Sequence, residues 1–188
     1  MRGTMQTLFL SAVSVAILSA ALPGCGGPAR LPGPPPSPSS ATPHASPSTT
    51  GSAQAQARQA YLAMWAAYVA ASKTADYQSP SLARYAAGAA LSLLTHGLLA
   101  DYQAGIVTRG EPTFGPRVTV VTAAGGLQAD VADCADSSGW SDYTRSGKPV
   151  PPKQQGRRQI TARLQPFRQA GGTEWKVTYL NVAPAGTC

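Results

Sequence analysis

Apolar positions divide the chain into stretches of different character. From Leu8 to Leu22 nearly every position is apolar, interrupted by Ser11, Ser14 and Ser19. From Gly26 to about Ala55 the pattern disappears: Pro, Ser, Thr, Gly and Ala dominate, and no large apolar side chain follows Leu31. From Gln56 to Lys73, Leu62, Trp65 and Val69 recur at helical spacing with Tyr61 and Tyr68 alongside, which predicts a helix with a heavy apolar stripe. Ser79-Pro80 reads as an N-cap with a first-turn proline, opening a helix that reaches about Ala86. Gly88 marks a break. Leu91, Leu94, Leu98 and Tyr102 then form a second stripe, closed by Gly105 as a C-terminal glycine.

After Gly105 the period changes to two. Ile106 to Arg109 is a short candidate strand, and Arg117 to Thr122 follows it. Leu127 to Cys134 comes after the turn at residues 123 to 126, and Trp140 to Arg145 is a shorter candidate. Gln159 to Gln165 and Glu174 to Val182 form a hairpin around residues 169 to 172. Pro166 is expected at a bulge or a strand end, because it cannot donate to the ladder. Helices followed by strands predict an α+β domain with an antiparallel sheet.

The first apolar run has Arg2 and no acid before it, and Pro23, Gly24, Gly26, Gly27 and Pro28 after it. A basic segment followed by roughly 15 apolar residues is the layout of a secretory signal. It is shorter than the ~20 residues that a permanent membrane span needs. Leu22-Pro23-Gly24-Cys25 resembles the lipobox of bacterial lipoproteins, although Pro23 departs from the usual residue at its position. The resemblance implies a signal peptide over residues 1–24 and a diacylglyceryl group on Cys25, at the extracytoplasmic face of the cell membrane. Two acyl chains at ~0.8 kcal/mol per buried methylene are enough to hold a protein there. Residues 25–56 then read as a tether, since they bury too little apolar surface to offset their chain entropy. Thirty residues of flexible coil span about 30 Å, and of polyproline helix up to ~90 Å. Residues 57–188 are of a size for one domain.

Charge adds one feature. The formal net charge is +7, and the excess lies late: Arg145 to Lys176 hold eight basic residues and one acid, Glu174. The exported location argues against nucleic acid. Anionic cell-wall polymers, lipid headgroups or another envelope protein are the partners this half suits, with a solvated hairpin face as the plainer reading.

The stretch from Ala60 to Leu94, then "GEPTFGPRVT", "ADVADCADSSGW" and "WKVTYLNV", resembles the secreted actinobacterial lipoproteins of the nuclear transport factor two superfamily, which includes SnoaL-like and ketosteroid isomerase-like domains. The resemblance implies N-terminal helices packed in the hollow of a curved antiparallel sheet, with a cone-shaped interior. It implies no reaction, because function lies in the site grafted onto a fold.

With Cys25 assigned to lipid, Cys134 and Cys188 remain. An exported location permits a disulfide between them; a reactive or metal-binding thiol is the rival reading. His44 lies in the tether, His96 is alone in the domain, and no Cys/His/Asp cluster has ligand spacing. No metal or cofactor is expected. His96, in an apolar helix with no carboxylate near in sequence, reads as structural. Ketosteroid isomerase relatives use an aspartate base with a tyrosine and a protonated aspartate. Tyr61, Tyr68, Asp76, Asp101 and Tyr102 are candidates that match no such pattern residue by residue. Asp76 and Asp101 look like surface acids flanking helices, and Trp65, Trp140 and Trp175 read mainly as packing.

Asp130 and Asp133 alone among the acids lie inside a strand, on opposite faces. Asp133 shares a face with Leu127, Ala129 and Val131, so it is the one weak candidate for a catalytic base; otherwise the strand end carries it into solvent. Three readings of function follow: a non-enzymatic binding or scaffolding domain, an isomerase-like enzyme acting on an apolar small molecule, and an accessory domain for wall synthesis or transport. The first is preferred because the acids fall at turns and element ends. The lipid assignment is directly testable. Mass spectrometry of the native protein should find Cys25 as a diacylated N-terminus, and an unmodified residue or a chain starting well beyond it sinks the assignment.

Overall fold

A computed structural model describes residues 47–151 and 155–188. The segment read as a signal, Cys25, and the segment read as a tether as far as residue 46 lie outside the described residues. Helix α1 spans Pro47–Ser72 and so begins nine residues before Gln56. The added turns, residues 47–55, are mostly Ser, Thr and Gly, which are weak helix formers, and they carry no bulky stripe to reveal a helix. They are held from outside: the Gln54 side chain donates to the Val118 carbonyl at 2.8 Å. The buried face of α1 differs from the expected stripe as well. Ala57, Tyr61, Met64, Trp65 and Ala71 are buried, while Leu62 is only half-buried.

Helices α2 (Pro80–Tyr85) and α3 (Gly88–Ala104) fall where their sequence signals place them, with Pro80 in the first turn of α2, although the Ser79 side chain makes no capping hydrogen bond. Gly105 ends α3 in the left-handed conformation, φ 68°, and its N–H caps carbonyls of the last turn. Six strands follow: β1 (Ile106–Gly110), β2 (Arg117–Ala123), β3 (Gly126–Asp136), β4 (Trp140–Thr144), β5 (Arg157–Gln169) and β6 (Gly172–Val182). β2, β3, β5 and β6 form an antiparallel four-stranded sheet in that order, and β1 pairs with β4 as a separate antiparallel ribbon. The architecture is α+β, with helices against a curved, open antiparallel sheet.

The core lies between α1 and the inner face of the sheet. Tyr61, Met64 and Trp65 of α1 belong to one buried cluster with Val131, Ile160, Leu164, Val177 and Leu180 of the sheet. Each large apolar side chain so buried contributes about 1.5–3 kcal/mol. The four alanines on the buried side of α1 (Ala57, Ala60, Ala67 and Ala71) add little area themselves. Their small size leaves room for the aromatic residues between them.

Both outer edges of the sheet are guarded. On β2, the Val118 carbonyl accepts from Gln54. On β6, the Val177 carbonyl accepts from the Ala87 N–H at 2.8 Å, and Lys176 Nζ donates to the Ala83 carbonyl at 2.8 Å. Pro166 lies inside β5, opposite Trp175, and the bulge falls between Arg163 and Leu164. The expectation of a proline at the bulge or strand end is therefore corrected. The β3–β5 pairing stops at Ala129 and Leu164, so a missing N–H at Pro166 breaks no bond to β3.

Cys134 and Cys188 are bonded, with Cα atoms 6.0 Å apart and a separation of 54 positions in sequence. The bridge fastens the segment after β6 along the start of β5, where the Ala183 and Gly186 N–H groups donate to the Gln159 and Arg157 carbonyls. Closing a loop of that length removes ~4 kcal/mol of unfolded-chain entropy. Cys134→Ser, Cys188→Ser and the double variant should therefore lower unfolding stability by the same amount, up to about 4 kcal/mol, as read from urea midpoints. No shift in midpoint, or additive losses from the two single variants, is the contrary result.

Candidate functional site

Asp133 is the best-buried acid in the domain, 4% exposed, on the inner face of β3 with Ala129, Val131 and Ala135. The sequence places it on this face correctly. The alternative, that the strand end carries it into solvent, is overturned. β3 continues to Asp136, and the segment between β1 and β2 folds over the position. Leu127, expected on the same inner face, is instead exposed near the β2–β3 turn. Both carboxylate oxygens of Asp133 have partners: the Tyr61 hydroxyl donates to Oδ2 at 3.0 Å and the Gly115 N–H donates to Oδ1 at 2.9 Å. The two neighbouring acids sit elsewhere. Asp130 is exposed and pairs with Arg163 at 3.5 Å, and Asp136 accepts from the Ser138 N–H at 2.8 Å.

Gly115 lies next to Phe114, so the hydrogen bond to Asp133 also sets an aromatic ring. Phe114 stacks on Trp65 at 5.1 Å between centroids, with 21° between the planes. Trp65 meets Tyr68 edge-on at 5.8 Å, and Tyr68 meets Trp140 edge-on at 6.0 Å. Trp140 is carried in by the β1–β4 ribbon. At its end Gly110, φ 78°, faces Trp140; a Cβ on Gly110 would lie 1.9 Å from the Gly139 carbonyl oxygen. Only glycine allows that closure. Tyr68 is seated against α3, where a Cβ on Gly97 would lie 3.0 Å from its hydroxyl.

These rings wall a cavity of about 360 Å³ between the helices, the ribbon and one end of the sheet. Polar groups reach it from three directions: Asp101 from α3, Asp142 from β4, and Arg158 with Ser137 from the ends of β5 and β3. Arg158 Nη2 donates to Ser137 Oγ at 3.3 Å. Burial, and then the charges of Asp101 and Asp142, push the Tyr68 phenol up to about 12. The Tyr61 phenol is raised further, by burial first and by the Asp133 charge beside it. Both remain neutral donors at ordinary pH.

The structure thus separates the sequence-derived candidates. Tyr68 and Asp101 line the cavity, so Asp101 is not merely a surface acid, and Trp65 and Trp140 are walls as well as packing. Tyr61 and Asp133 are not among the lining residues; they satisfy each other beneath it. Asp76 accepts from the Gln78 N–H at 3.2 Å in a turn. Tyr102 is 47% exposed and packs on Tyr77. His96 is exposed on α3 rather than satisfied in the core. Trp175 is core. Among the described residues no group of three His, Cys, Asp or Glu side chains is placed to hold a metal ion. Phe114, Asp142 and Arg158 were not singled out from sequence. The one signal available was that Phe114 stands in a Gly/Pro-rich connection, where a large ring has no secondary-structure reason to be.

No family model matches the chain, and no curated protein matches it. Among solved structures it is similar to the crystal structure of the intermembrane space region of chloroplast protein ARC6. The two are 19% identical over 70% of this chain and 97% of that one, with a TM-score of 0.44, a likeness too distant to carry a role across.

The two buried phenols give a spectroscopic test. Unfolded tyrosines ionise near 10, whereas Tyr61 and Tyr68 are held above that in the folded chain. The unfolded state therefore releases protons first, and stability is intact below about pH 10 and falls as pH rises from there toward 12. Absorbance titration should show two tyrosines ionising only with the cooperative loss of structure, and Tyr61→Phe should remove one of them. Seven tyrosines titrating together near pH 10 in the folded protein would contradict this packing.

Proposed function

We propose that this chain is a membrane-anchored extracytoplasmic lipoprotein whose domain, a cone of the nuclear transport factor two type, binds a small ligand and does no chemistry on it. The observation that carries the reading is the division between Asp133 and the cavity. The one deeply buried carboxylate has both oxygens bonded to the protein and does not line the cavity, whereas the cavity is walled by four aromatic rings. Its volume of about 360 Å³ falls within the ~300–1,000 Å³ range of small-ligand sites. A base that acts on substrate must reach the proton it removes, and Asp133 is occupied in tying α1 to β3.

The lipobox-like Leu22–Cys25 supports the membrane anchor. Exposed Arg117, on the outer face of the sheet near the Arg163–Asp130 pair, suits an anionic headgroup, wall polymer or acidic envelope protein as neighbour. Proton transfer in the cavity is the competing reading, with Tyr68 beside Asp101 and Asp142 as its groups. It predicts that Asp101→Asn abolishes turnover of a bound ligand.

The binding reading is tested by filling the cavity. Ala135 is buried in its wall, so Ala135→Leu should fold yet lose any ligand that copurifies with the native protein in native mass spectrometry. A ligand at 100 times its Kd adds ~2.7 kcal/mol of stability, so the wild type should also gain several degrees in Tm that the variant does not. Identical masses and identical thermal shifts for the two proteins would overturn the reading.

A further inference from the structure

We propose that the outer face of the β1–β4 ribbon is a second binding site, which takes the phosphate group of a phosphomonoester. The site is distinct from the aromatic cavity, so either can fail without the other. Alternation along β1 divides the ribbon into two faces. Thr108 is buried and turns to Ser72 of α1, with 2.6 Å between the hydroxyl oxygens, while Val107 and Arg109 on either side of it point the other way. With Lys73 and Thr74 just after α1, and Arg145 just after β4, they line an open pocket of about 660 Å³.

The lining carries three cations, Lys73, Arg109 and Arg145, and no acid. Lys73 shares its charge with Glu111 in an exposed pair at 3.3 Å. Among the described residues neither guanidinium is paired with a carboxylate. Each is positioned by other means. Arg109 lies over the Tyr143 ring, 4.3 Å from its centroid, and a Cβ on Gly147 would stand 3.6 Å from its Nη2, so ring and turn bracket it. Arg145 lies over the Tyr102 ring at 4.5 Å and donates from Nη2 to the Tyr102 carbonyl at 3.1 Å.

The way the guanidiniums are held decides what they can bind. A guanidinium laid on a ring uses its face and keeps its in-plane N–H edge for a ligand. A fork oriented in advance also loses less side-chain freedom when an anion arrives. A carboxylate, with two oxygens and one charge, satisfies a single fork. A phosphomonoester carries about −1.5 to −2 charges and three strong acceptor oxygens at neutral pH. That charge matches a lining of two guanidiniums and an ammonium, and the spare oxygen is what a second cation needs. The ester may be free in solution or may be the headgroup of a lipid; the recognition chemistry is the same.

Glycerol 3-phosphate and glycerate, a carboxylate on the same three-carbon body, test this by calorimetry on the full chain. Salt at 0.15 M screens charges more than ~8 Å away. The expected result is saturable binding of the phosphate ester, with glycerate at least tenfold weaker. Arg109→Ala and Arg145→Ala, both at exposed positions, should each weaken the ester about tenfold. Arg109→Lys keeps the charge but loses the fork, and should weaken it severalfold. Arg168→Ala removes an exposed arginine near the far end of β5 and should change nothing. Vesicles of phosphatidate and of phosphatidylglycerol at equal surface charge separate the two sources. A preference for phosphatidate that Arg109→Ala abolishes places the ester on a lipid, and binding of the soluble ester without that preference places it on a free molecule. Equal affinity for ester and glycerate would overturn the proposal. So would an Arg168→Ala loss as large as that of Arg109→Ala, which would make net charge the cause, or no binding of either the soluble ester or phosphatidate.

Discussion

A buried carboxylate between two donors organises this domain. Asp133 takes one hydrogen bond from the α1 hydroxyl of Tyr61 and one from the backbone of Gly115, and so joins a helix, a central strand and a connection that has no regular structure of its own. Losing either donor would leave a buried acceptor unsatisfied, at a cost of about 1–3 kcal/mol or more for a charged group. The larger consequence is positional. Gly115 carries Phe114 onto Trp65, and that stack is one wall of the cavity. The acid suspected of chemistry thus acts through the loop it holds.

A second constraint operates at the opposite wall. Gly110 lets β1 close on β4 within contact distance of the Gly139 carbonyl, and the closure places Trp140 against Tyr68. The cavity therefore depends on two backbone devices, one polar and one steric, neither of which touches the space it shapes. Substitutions at Tyr61 or Gly110 should alter ligand binding without removing a contact to the ligand.

Much of the fold was legible in the sequence. The change of period at Gly105, the proline at Pro80, the turn glycines and the inward parity of Asp133 each follow from spacing alone. The first helix was read short because residues 47–55 are small and polar and carry no stripe to count, although Gln54 ties them to the sheet. Pro166 was misplaced because its tolerance comes from where the pairing of β3 with β5 stops, a property of the assembled sheet. The cavity was illegible for a similar reason: Trp65, Phe114 and Trp140 are far apart in sequence and meet only through tertiary contacts. Asp101 looked like an ordinary helix-end acid because nothing within α3 reveals that β4 brings a second acid beside the same phenol.

The guarded edges of the sheet bear on what happens when copies of the chain are crowded together. An unpaired strand edge is a template for the neighbour's strand. Here Gln54 occupies a carbonyl of β2, while Ala87 and Lys176 close the outer side of β6. The early turns of α1, from which Gln54 reaches β2, thus help to keep adjacent copies from zipping into a continuous sheet.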